Sequence, residues 1–600
     1  MCGIVGVFSY ASAAPSIDRG ELDRSRDAMM TRGPDGGRTW VSDDARVGLG
    51  HRRLAIIDIN DRASQPMRTP DERLTIVFNG EIYNYVELRD EIAATGQYSF
   101  RTHSDTEVLL ALYLLHGAEM VHHLRGMFAF AIHDARDNSI FLARDPYGIK
   151  PLYIADDGRT LRFASTVKAL LAGGKLSKET DPAGLVGFHI FGAVQEPFTL
   201  YRSISALPSG HVMRVDRDGA GTPRCYANIA ARLAEAVPDD GAPVDDVVRE
   251  AMLDSVRAHL VADVEVGTFL SSGVDSGALL GLMRDAGAAR VSAVTIGFEE
   301  LTGTADDEVP LAREVAQHYG ASHHVSVIGR DEFAGALPLI LEAMDQPSID
   351  GINSWLVSRA AHECGLKVVL SGLGGDELLA GYTSFQTLPQ LRRRGAMFRK
   401  ALPLPSPLVR TIIKTLAPGL ARDNPKVLGV HDYATGWGGA YMLSRAVLLP
   451  FELDRVLDAE TIREGMARLD PVSRIDASLS PMPSGDIRRV MALESSNYMR
   501  NQLLRDSDWA SMAHSLELRT PLVDWRLLEK IAPIAHRLGG RVGKKALAMA
   551  PQRPLPTAVF DRKRTGFTVP IGQWLRPSAA GPASTDSRAW STEIAQAFAS

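Results

Sequence analysis

The first six residues, Met1-Cys2-Gly3-Ile4-Val5-Gly6, are the strongest constraint on this chain, because they place a thiol directly ahead of an apolar stretch. A small second residue favours removal of Met1, which would leave a cysteine with both a nucleophilic sulfur and a free α-amine. With an ordinary pKa near ~8, that amine can act as the base at neutral pH. The stretch could also be only the start of an apolar edge strand, Ile4 to Phe8. Features elsewhere in the chain must distinguish between these two interpretations.

Length and composition narrow the class of protein. A chain of 600 residues is too long for one hydrophobic core, so we expect two or more domains. A net charge of -6 gives no reason to expect a nucleic-acid partner. The three cysteines, Cys2, Cys225 and Cys364, match neither a disulfide framework nor a zinc site. No apolar run approaches the ~18 residues of a membrane span, and the start lacks a signal-peptide pattern. We therefore expect a cytoplasmic location.

The first part of the chain, from Cys2 to about Ser165, has the pattern of short strands separated by turn residues. Hairpin signals such as Asp137-Asn138-Ser139 join neighbouring strands, which predicts two stacked, largely antiparallel sheets with helices outside. The two helices are predicted at Glu81–Ala94 and Asp105–Leu115. The predicted strands are Ile4–Phe8, Val47–Leu49, Leu54–Ile57, Leu74–Phe78, Met127–His133, Ile140–Arg144, Leu152–Ile154 and Leu161–Ala164.

Later in the chain the spacing of the apolar residues changes. The segment 216–243, rich in Ala, Gly, Asp and Pro, is typical of a linker or surface loop between a first domain over 2–215 and a second over 244–576. From residue 244 helices alternate with strands, which predicts βαβ units and a parallel sheet. After Gly381 the pattern is mostly helical, and a tail rich in Ala and Ser covers 577–600.

Three polar clusters in the first domain carry the chemistry needed to hydrolyse glutamine. They are Gly50–Leu54, Asn79–Asn84 and Ser104–Glu107. An arginine can clamp the substrate's α-carboxylate and an aspartate can hold its α-ammonium, while an asparagine amide and a glycine N–H can form an oxyanion hole. Taken singly, each cluster is equally consistent with a turn or a helix cap.

In this order, and together with the stretch from Arg144 to Tyr153, the clusters resemble the class II glutamine amidotransferase domain. The resemblance implies an α+β N-terminal-nucleophile sandwich of antiparallel sheets with Cys2 as the nucleophile. It also implies Asn79 and Gly80 as the oxyanion hole. The implied glutamine ligands are Arg53, Asn79, Gly80, Glu81 and Asp105.

Two loops in the second domain have the composition of anion sites. Phe269-Leu270-Ser271-Ser272-Gly273-Val274-Asp275-Ser276 follows an apolar strand and opens a helix, so its hydroxyls and N–H groups can cradle an anion. It resembles the S-G-G-x-D-S loop of ATP pyrophosphatases, with Ser272 in place of the first glycine. The glycine-rich stretch from Ser371 to Tyr382 follows a second strand, and ligands gather at the ends of such parallel strands.

The two halves together resemble a glutamine-dependent asparagine synthetase from Cys2 to about Leu575, an assignment that also rests on the stretches 506–521 and 562–567. The resemblance implies an α/β parallel-sheet ATP-pyrophosphatase domain, ATP and Mg²⁺ as cofactors, and an apolar tunnel for ammonia. Asp275 and Asp376 would bind the metal, and Lys544 would neutralise phosphate charge. The implied nucleotide ligands are Leu270, Ser271, Ser272, Gly273, Asp275, Ser276, Ile296, Ser371 and Gly372.

One position departs from the family pattern, because Leu373 stands where S-G-E-G-x-D-E has its glutamate. Aspartate is the default acceptor, but the leucine keeps open a different carboxylic acid, such as a sugar acid or a biosynthetic intermediate. An amidotransferase that acts on phosphoribosyl or hexose phosphates and a non-catalytic scaffold are two further hypotheses. We expect small-molecule substrates, no nucleic acid and no membrane span; a homodimer is compatible with the sequence. The basic stretch 391–422 is best interpreted as a solvated helical face.

Overall fold

The structure is a computed structural model that describes residues 2–562, 570, 574 and 587–599. Its strands form two antiparallel sheets and one parallel sheet. The strands are β1 (Gly3–Ser9), β2 (Gly36–Val41), β3 (Val47–Arg53), β4 (Met67–Arg68), β5 (Leu74–Ile82), β6 (Gly126–Asp134), β7 (Ser139–Arg144), β8 (Tyr153–Asp156), β9 (Thr160–Ala164), β10 (Ser205–Ala206), β11 (His211–Asp216), β12 (Gly219–Ala220), β13 (Arg224–Cys225), β14 (Val266–Phe269), β15 (Ser292–Phe298), β16 (Ser322–Ile328), β17 (Val368–Leu370) and β18 (Glu517–Arg519).

Helices cover the sheets and dominate the last third of the described chain. A π-helix, Ser495–Leu504, interrupts the series after residue 494. The α-helices are Arg19–Asp27, Tyr85–Thr95, Asp105–His116, Val167–Ala172, Pro182–Phe191, Ile229–Glu235, Val244–His259, Val274–Asp285, Val309–Tyr319, Arg330–Ala343, Ile352–Glu363, Gly375–Leu378, Ser384–Ala401, Ser406–Leu416, Pro418–Asp423, Val430–Tyr433, Trp437–Arg445, Ala459–Leu469, Pro471–Ala477, Asp486–Glu494, Arg505–Met512, Trp525–Ile531, Val542–Met549, Thr557–Asp561 and Ser587–Ala599.

The first domain has four layers. One sheet has the order β10-β8-β9-β1-β3-β2, and the other has the order β12-β11-β7-β6-β5-β4 with β13 paired to β11. Side chains such as Phe8 and Phe163 from the first sheet pack against Val77 and Leu142 from the second. Helices cover the two outer faces. This arrangement confirms the predicted sandwich of antiparallel sheets.

The strand that follows Cys2 lies in the middle of its sheet. β1 pairs with β3 on one side and with β9 on the other, both antiparallel, so the interpretation of this stretch as an edge strand is wrong. All seven residues of β1 are buried. An apolar strand that is covered on both faces reads as a continuous hydrophobic run, as Ile4 to Phe8 does. The thiol is therefore held at the end of a rigid, central element.

The second domain is built on five parallel strands in the order β16-β15-β14-β17-β18. Helices pack on both faces, as expected for a parallel sheet, and their buried residues form two separate core clusters. The predicted α/β domain with a helical C-terminal part is confirmed. The strand β18, Glu517–Arg519, was not predicted, because its three residues have no strand pattern in the sequence.

Three local predictions differ from the structure. Leu54–Ile57, predicted as a strand, has no strand pairing; its apolar residues are buried in a cluster shared with the second domain. Glu81 and Ile82, predicted as the start of a helix, extend β5. The segment 216–243, predicted as a linker or surface loop, contains β12, β13 and the helix Ile229–Glu235 with three buried residues. In each case, contacts distant in the sequence outweigh the local pattern.

Ion pairs and hydrogen bonds tie the two domains together. Arg32 and Asp508 form a buried pair at 2.6 Å, and Arg125 pairs with Asp524 at 2.8 Å. The ring of Tyr83 lies 4.1 Å from that of His259. Across residues 2–562 and 587–599, no helix combines the length and apolar character required to cross a bilayer. The motif residues 563–567 lie outside the described residues, as do residues 577–586 and 600 of the predicted tail, whereas 587–599 form a helix.

Candidate active sites

Cys2 lies at the start of β1, where it meets the end of β5 from the opposite sheet. Its backbone nitrogen donates to Asn79 Oδ1 at 3.0 Å. Burial raises the pKa of the Cys2 thiol, and a hydrogen bond from the Leu54 backbone N–H opposes that shift. Once Met1 is removed, this nitrogen would be the α-amine, so the Asn79 carbonyl would orient the base beside the sulfur. The predicted nucleophile and Asn79 are thus brought together.

The Asn79 amide nitrogen is buried and has no hydrogen-bond partner among the residues that the structure describes. A buried donor without an acceptor costs free energy unless a ligand supplies one. Gly80 follows it, and a Cβ at this position would lie 2.1 Å from the Met127 carbonyl oxygen, so only glycine fits. The unused Asn79 donor beside Cys2 has the chemistry of an oxyanion hole.

Buried carboxyl groups surround the other side of this site. Burial, reinforced by the neighbouring Glu517 carboxylate, raises the pKa of Glu81, and burial raises the pKa of Asp105 to about 6. Glu81 Oε2 accepts no hydrogen bond from the described part of the chain and lies 3.6 Å from the Arg519 guanidinium. A cluster of buried acids favours a cationic ligand, and the α-ammonium of glutamine is such a group.

Arg53 ends β3 beside the first strand, as its predicted role requires. Its guanidinium donates to the carbonyl oxygens of Asn60, at 2.9 Å, and Asp58, at 2.5 Å. These hydrogen bonds hold the Arg53 side chain against the loop that follows β3. The guanidinium has five donors, so N–H groups are left for a carboxylate.

The predicted nucleotide ligands gather around one cavity of about 580 Å³ at the carboxyl ends of β14, β15 and β17. Both predicted loops contribute to it, because β14 and β17 are neighbours. The loops pack closely: a Cβ on Gly372 would lie 2.9 Å from the Cβ of Asp275. Lining residues predicted from the sequence are Leu270, Ser271, Ser272, Gly273, Asp275, Ser276, Ile296, Ser371, Gly372, Asp376 and Lys544.

Lys544 joins the two loops. Its buried ammonium lies 2.6 Å from Asp275 Oδ2 and 2.6 Å from Asp376 Oδ1. Burial lowers the pKa of Lys544, but the carboxylates of Asp275 and Asp376 outweigh it, so the net pKa is raised and the lysine is charged. A Cβ on Gly381 would lie only 1.9 Å from Asp376 Oδ1, so this contact requires glycine.

The donor set also suits a divalent cation. Asp275 and Asp376 present oxygen ligands to one point from two loops, and Mg²⁺ is usually held by one or two carboxylates together with substrate phosphates. Lys544 already places one positive charge there. The residues present therefore fit the predicted metal.

Sequence reasoning missed several residues of the nucleotide cavity. Arg541 and Arg562 add positive charge to its lining, and Glu308 accepts from the Ser272 N–H at 3.4 Å. Arg562 also hydrogen-bonds the Ser272 hydroxyl. Arg562 belongs to the stretch 562–567, whose pattern alone indicated no role for it. Glu308 follows the end of β15, a position typical of ligand-binding residues. Leu373 lines the same cavity.

Comparisons with known proteins give the family. Residues 1–226 match the model of a glutamine amidotransferase domain, and residues 247–586 match that of asparagine synthase. Asparagine synthetase [glutamine-hydrolyzing] 1 of Bacillus subtilis is 33% identical over 96% of this chain and 88% of its own length. Asparagine synthetase B [glutamine-hydrolyzing] of Escherichia coli is 32% identical over 65% of this chain and 66% of its own. Amidase chry2 of Gibberella zeae is 28% identical over 64% of this chain and 60% of its own.

These matches agree with the two sites described above, one for an N-terminal nucleophile and one for a nucleotide. The chain belongs to the glutamine-hydrolysing asparagine synthetase family, and it is an ATP-dependent amidotransferase of the ligase class.

Proposed function

We propose that the protein transfers the amide nitrogen of glutamine to a carboxylic acid that it first activates as an acyl-adenylate. The observation that carries the proposal is the buried Lys544 ammonium, held between carboxylates from both predicted anion loops. Such a fixed positive charge stabilises charge that develops on transferring phosphates. AMP, pyrophosphate and glutamate are the expected products beside the amide.

In the first step, Cys2 attacks the side-chain carbonyl of glutamine, and its α-amine accepts the thiol proton. The amide nitrogen of Asn79 and the N–H of Gly80 donate to the oxyanion, while Asp105 and Glu81 hold the substrate ammonium and Arg53 its carboxylate. Ammonia leaves, and water hydrolyses the thioester. The buried amide nitrogen of Asn79 beside Cys2 and the buried carboxyl group of Asp105 support this assignment.

In the second step, the nucleotide cavity binds ATP against Leu270 and Ile296, with the phosphates at Ser271–Ser276, Ser371 and Gly372. Mg²⁺ bound by Asp275 and Asp376 would neutralise pyrophosphate charge. The acceptor carboxylate attacks the α-phosphate and releases pyrophosphate, and ammonia then displaces AMP to give the amide.

Aspartate is the first acceptor to consider, because relatives are named asparagine synthetases. A second candidate is a different carboxylic acid, and Leu373 in the cavity wall favours it, since leucine can neither accept a proton nor bind an ammonium. A relative named as an amidase also lies within the family.

The test measures AMP and pyrophosphate release with glutamine, ATP and Mg²⁺, with and without aspartate, and identifies any amide by mass. Asparagine formed at the rate of AMP supports aspartate. Glutamine hydrolysis without aspartate-dependent AMP excludes aspartate and leaves the remaining acids. No release of glutamate from glutamine would refute the proposal as a whole.

A matched pair of variants locates the activation step. Lys544→Met should abolish AMP release and leave glutamine hydrolysis intact, whereas Lys545→Met, which alters the exposed neighbour, should change neither. Equal AMP release by Lys544→Met and the wild type would contradict the role of this lysine.

A further inference from the structure

A second cavity, of about 790 Å³, lies next to the nucleotide cavity in the helical part of the second domain. Its wall includes four basic residues, Arg422, Lys426, Arg445 and Arg588. The π-helix Ser495–Leu504 contributes three amide side chains to it, and π-helical turns frequently occur at functional sites. This polar lining is suited to a hydrophilic ligand.

The positive charge of the second cavity is only partly neutralised. Arg445 pairs with Glu494 at 2.6 Å, and Arg588 pairs with Glu452 at 3.0 Å. Lys426, by contrast, has no carboxylate within ion-pair distance among the described residues, and its ammonium donates to the Ser444 carbonyl oxygen. Burial, reinforced by Arg445 and Arg588, lowers the pKa of Lys426 to about 8. An anionic ligand would relieve this repulsion.

Carboxyl groups in the wall do not cancel that charge. Burial raises the pKa of Asp350, which favours its neutral form. Asp423 lies on the exposed side of the cavity. The interior therefore combines Lys426, which no described carboxylate neutralises, with neutral amides, a composition that suits a site for one carboxylate or phosphate group.

A single layer of side chains separates the two cavities. Tyr382 lines the nucleotide cavity, while Arg445 and Tyr498 line the second one. The Arg445 guanidinium lies 5.2 Å from the centre of the Tyr382 ring and 3.9 Å from that of Tyr498. At this stack the two cavities are therefore one layer of side chains apart.

We propose that the acceptor is an acid longer than aspartate, with a second anionic group that binds in the second cavity beside Lys426. This inference rests on the proposed function, since the reacting carboxylate is taken to face ATP. Leu373 is compatible with it, because a leucine in the wall of the nucleotide cavity cannot bind the α-ammonium by which aspartate would be recognised.

Calorimetric binding of simple dicarboxylates, from glutarate to suberate, to the full chain with an ATP analogue tests the site directly. At least one dicarboxylate should bind at least tenfold more tightly than the monocarboxylate of equal length. Lys426→Met should remove at least tenfold of that affinity, Lys426→Arg should keep most of it, and Lys178→Met, which changes an exposed lysine in the first domain, should have no effect. Equal binding of mono- and dicarboxylates, or no effect of Lys426→Met, would overturn the proposal.

Activity measurements separate this inference from the proposed function. Glutamate release from glutamine without any acceptor depends on the first domain, and Lys426→Met should leave it unchanged. If aspartate drives AMP release as well as every dicarboxylate does, in the wild type and in Lys426→Met alike, then the proposed function stands and the second anionic site is refuted. If no glutamate is released while a dicarboxylate binds through Lys426, the site stands and the proposed function falls.

Discussion

At the scale of single residues, the proposed glutaminase site contains buried polar atoms that make no hydrogen bond within the described residues. The Asn79 carbonyl oxygen accepts from the Cys2 nitrogen, while its amide nitrogen has no acceptor there, although the side chain is fully buried. Glu81 Oε2 likewise accepts no hydrogen bond and has only an ion pair with Arg519 at 3.6 Å. Folding alone does not favour such atoms, so their presence beside a thiol indicates that substrate completes the hydrogen bonding.

The first prediction concerns Asn79. Asn79→Ala should lower kcat for glutamine hydrolysis by about 10²–10³-fold, because it removes a donor to the oxyanion. The KM for glutamine should change much less. Amide synthesis with added ammonia should continue, since the nucleotide cavity is untouched. Asn138→Ala, at a turn between β6 and β7, is the control, and a kcat equal to that of the wild type in Asn79→Ala would contradict the assignment.

The second prediction concerns pH. Because burial raises the pKa of Asp105 to about 6, the carboxylate is charged only above that pH. Binding of the glutamine ammonium should therefore weaken as pH falls below 6, with KM rising by about tenfold per pH unit. Asp105→Asn should show a high KM at pH 8 and little further change, whereas the exposed variant Asp90→Asn should keep the wild-type profile. A KM that is flat down to pH 5 in the wild type would exclude this role.

At the scale of elements, the short strand β18 contacts both sites. The Arg519 carbonyl accepts from the N–H of Ser371, the first residue of the second anion loop, at 2.9 Å. The Arg519 guanidinium donates to Glu517 at 2.6 Å and lies 3.6 Å from the carboxylate of Glu81, a predicted glutamine ligand. Arg519 thus contacts both the loop that begins at Ser371 and the predicted glutamine ligand Glu81.

The third prediction follows from this double contact. Arg519→Lys keeps the charge but loses the donors to the carbonyl oxygens of His259 and Val261. We expect the KM values for glutamine and ATP to rise together, each by about tenfold, given the usual cost of about 1.5–3 kcal/mol for a charged hydrogen bond. Arg526→Lys, on the exposed side of the following helix, is the control. A change in only one of the two KM values would show that the sites are independent at this residue.

At the scale of the whole molecule, the domain interface is held by buried charge. Arg32 donates to the Cys2 carbonyl oxygen at 3.2 Å and pairs with Asp508 of the second domain, which Lys150 also approaches at 3.6 Å. Although burial opposes the shift, these two cations lower the pKa of Asp508. The pair therefore stabilises the fold above the ordinary aspartate pKa of about 3.9, and its contribution is lost as the pH falls through the lowered pKa.

The fourth prediction tests that interface. Asp508→Asn removes the buried carboxylate that pairs with Arg32, and the loss of one partner of a buried ion pair typically costs about 3–5 kcal/mol. We expect a clear drop in unfolding free energy in denaturant at pH 7, together with slower glutamine hydrolysis, because Arg32 positions Cys2. Glu72→Gln, which breaks an exposed pair with Arg68, should cost at most about 1 kcal/mol. Equal stability of the two variants would argue against the buried pair.

Much of the fold and of both candidate sites follows from local sequence pattern. The anion loops can be recognised because a strand, a run of small residues and a helix start must be contiguous in the chain. Cys2 and Asp105 can be recognised for the same reason, since each sits at an element boundary, whereas Asn79 lies within β5 and is recognised only through the Asn79-Gly80 motif. The parallel sheet and the antiparallel sandwich follow from the change in period near residue 244.

Only the tertiary structure decided which residues share an environment. Leu54–Ile57 reads as a strand but is buried by the other domain, and Glu517 and Arg519 reach the glutamine site from the far end of the chain. Glu308, the free amide of Asn79 and the cationic second cavity likewise depend on residues distant in the sequence. The sequence by itself determined the local chemistry, because capping, turns and periodicity act over a few residues. Burial and charge pairing act between distant segments, so the second cavity and the contacts of β18 with both candidate sites became visible only in the folded molecule.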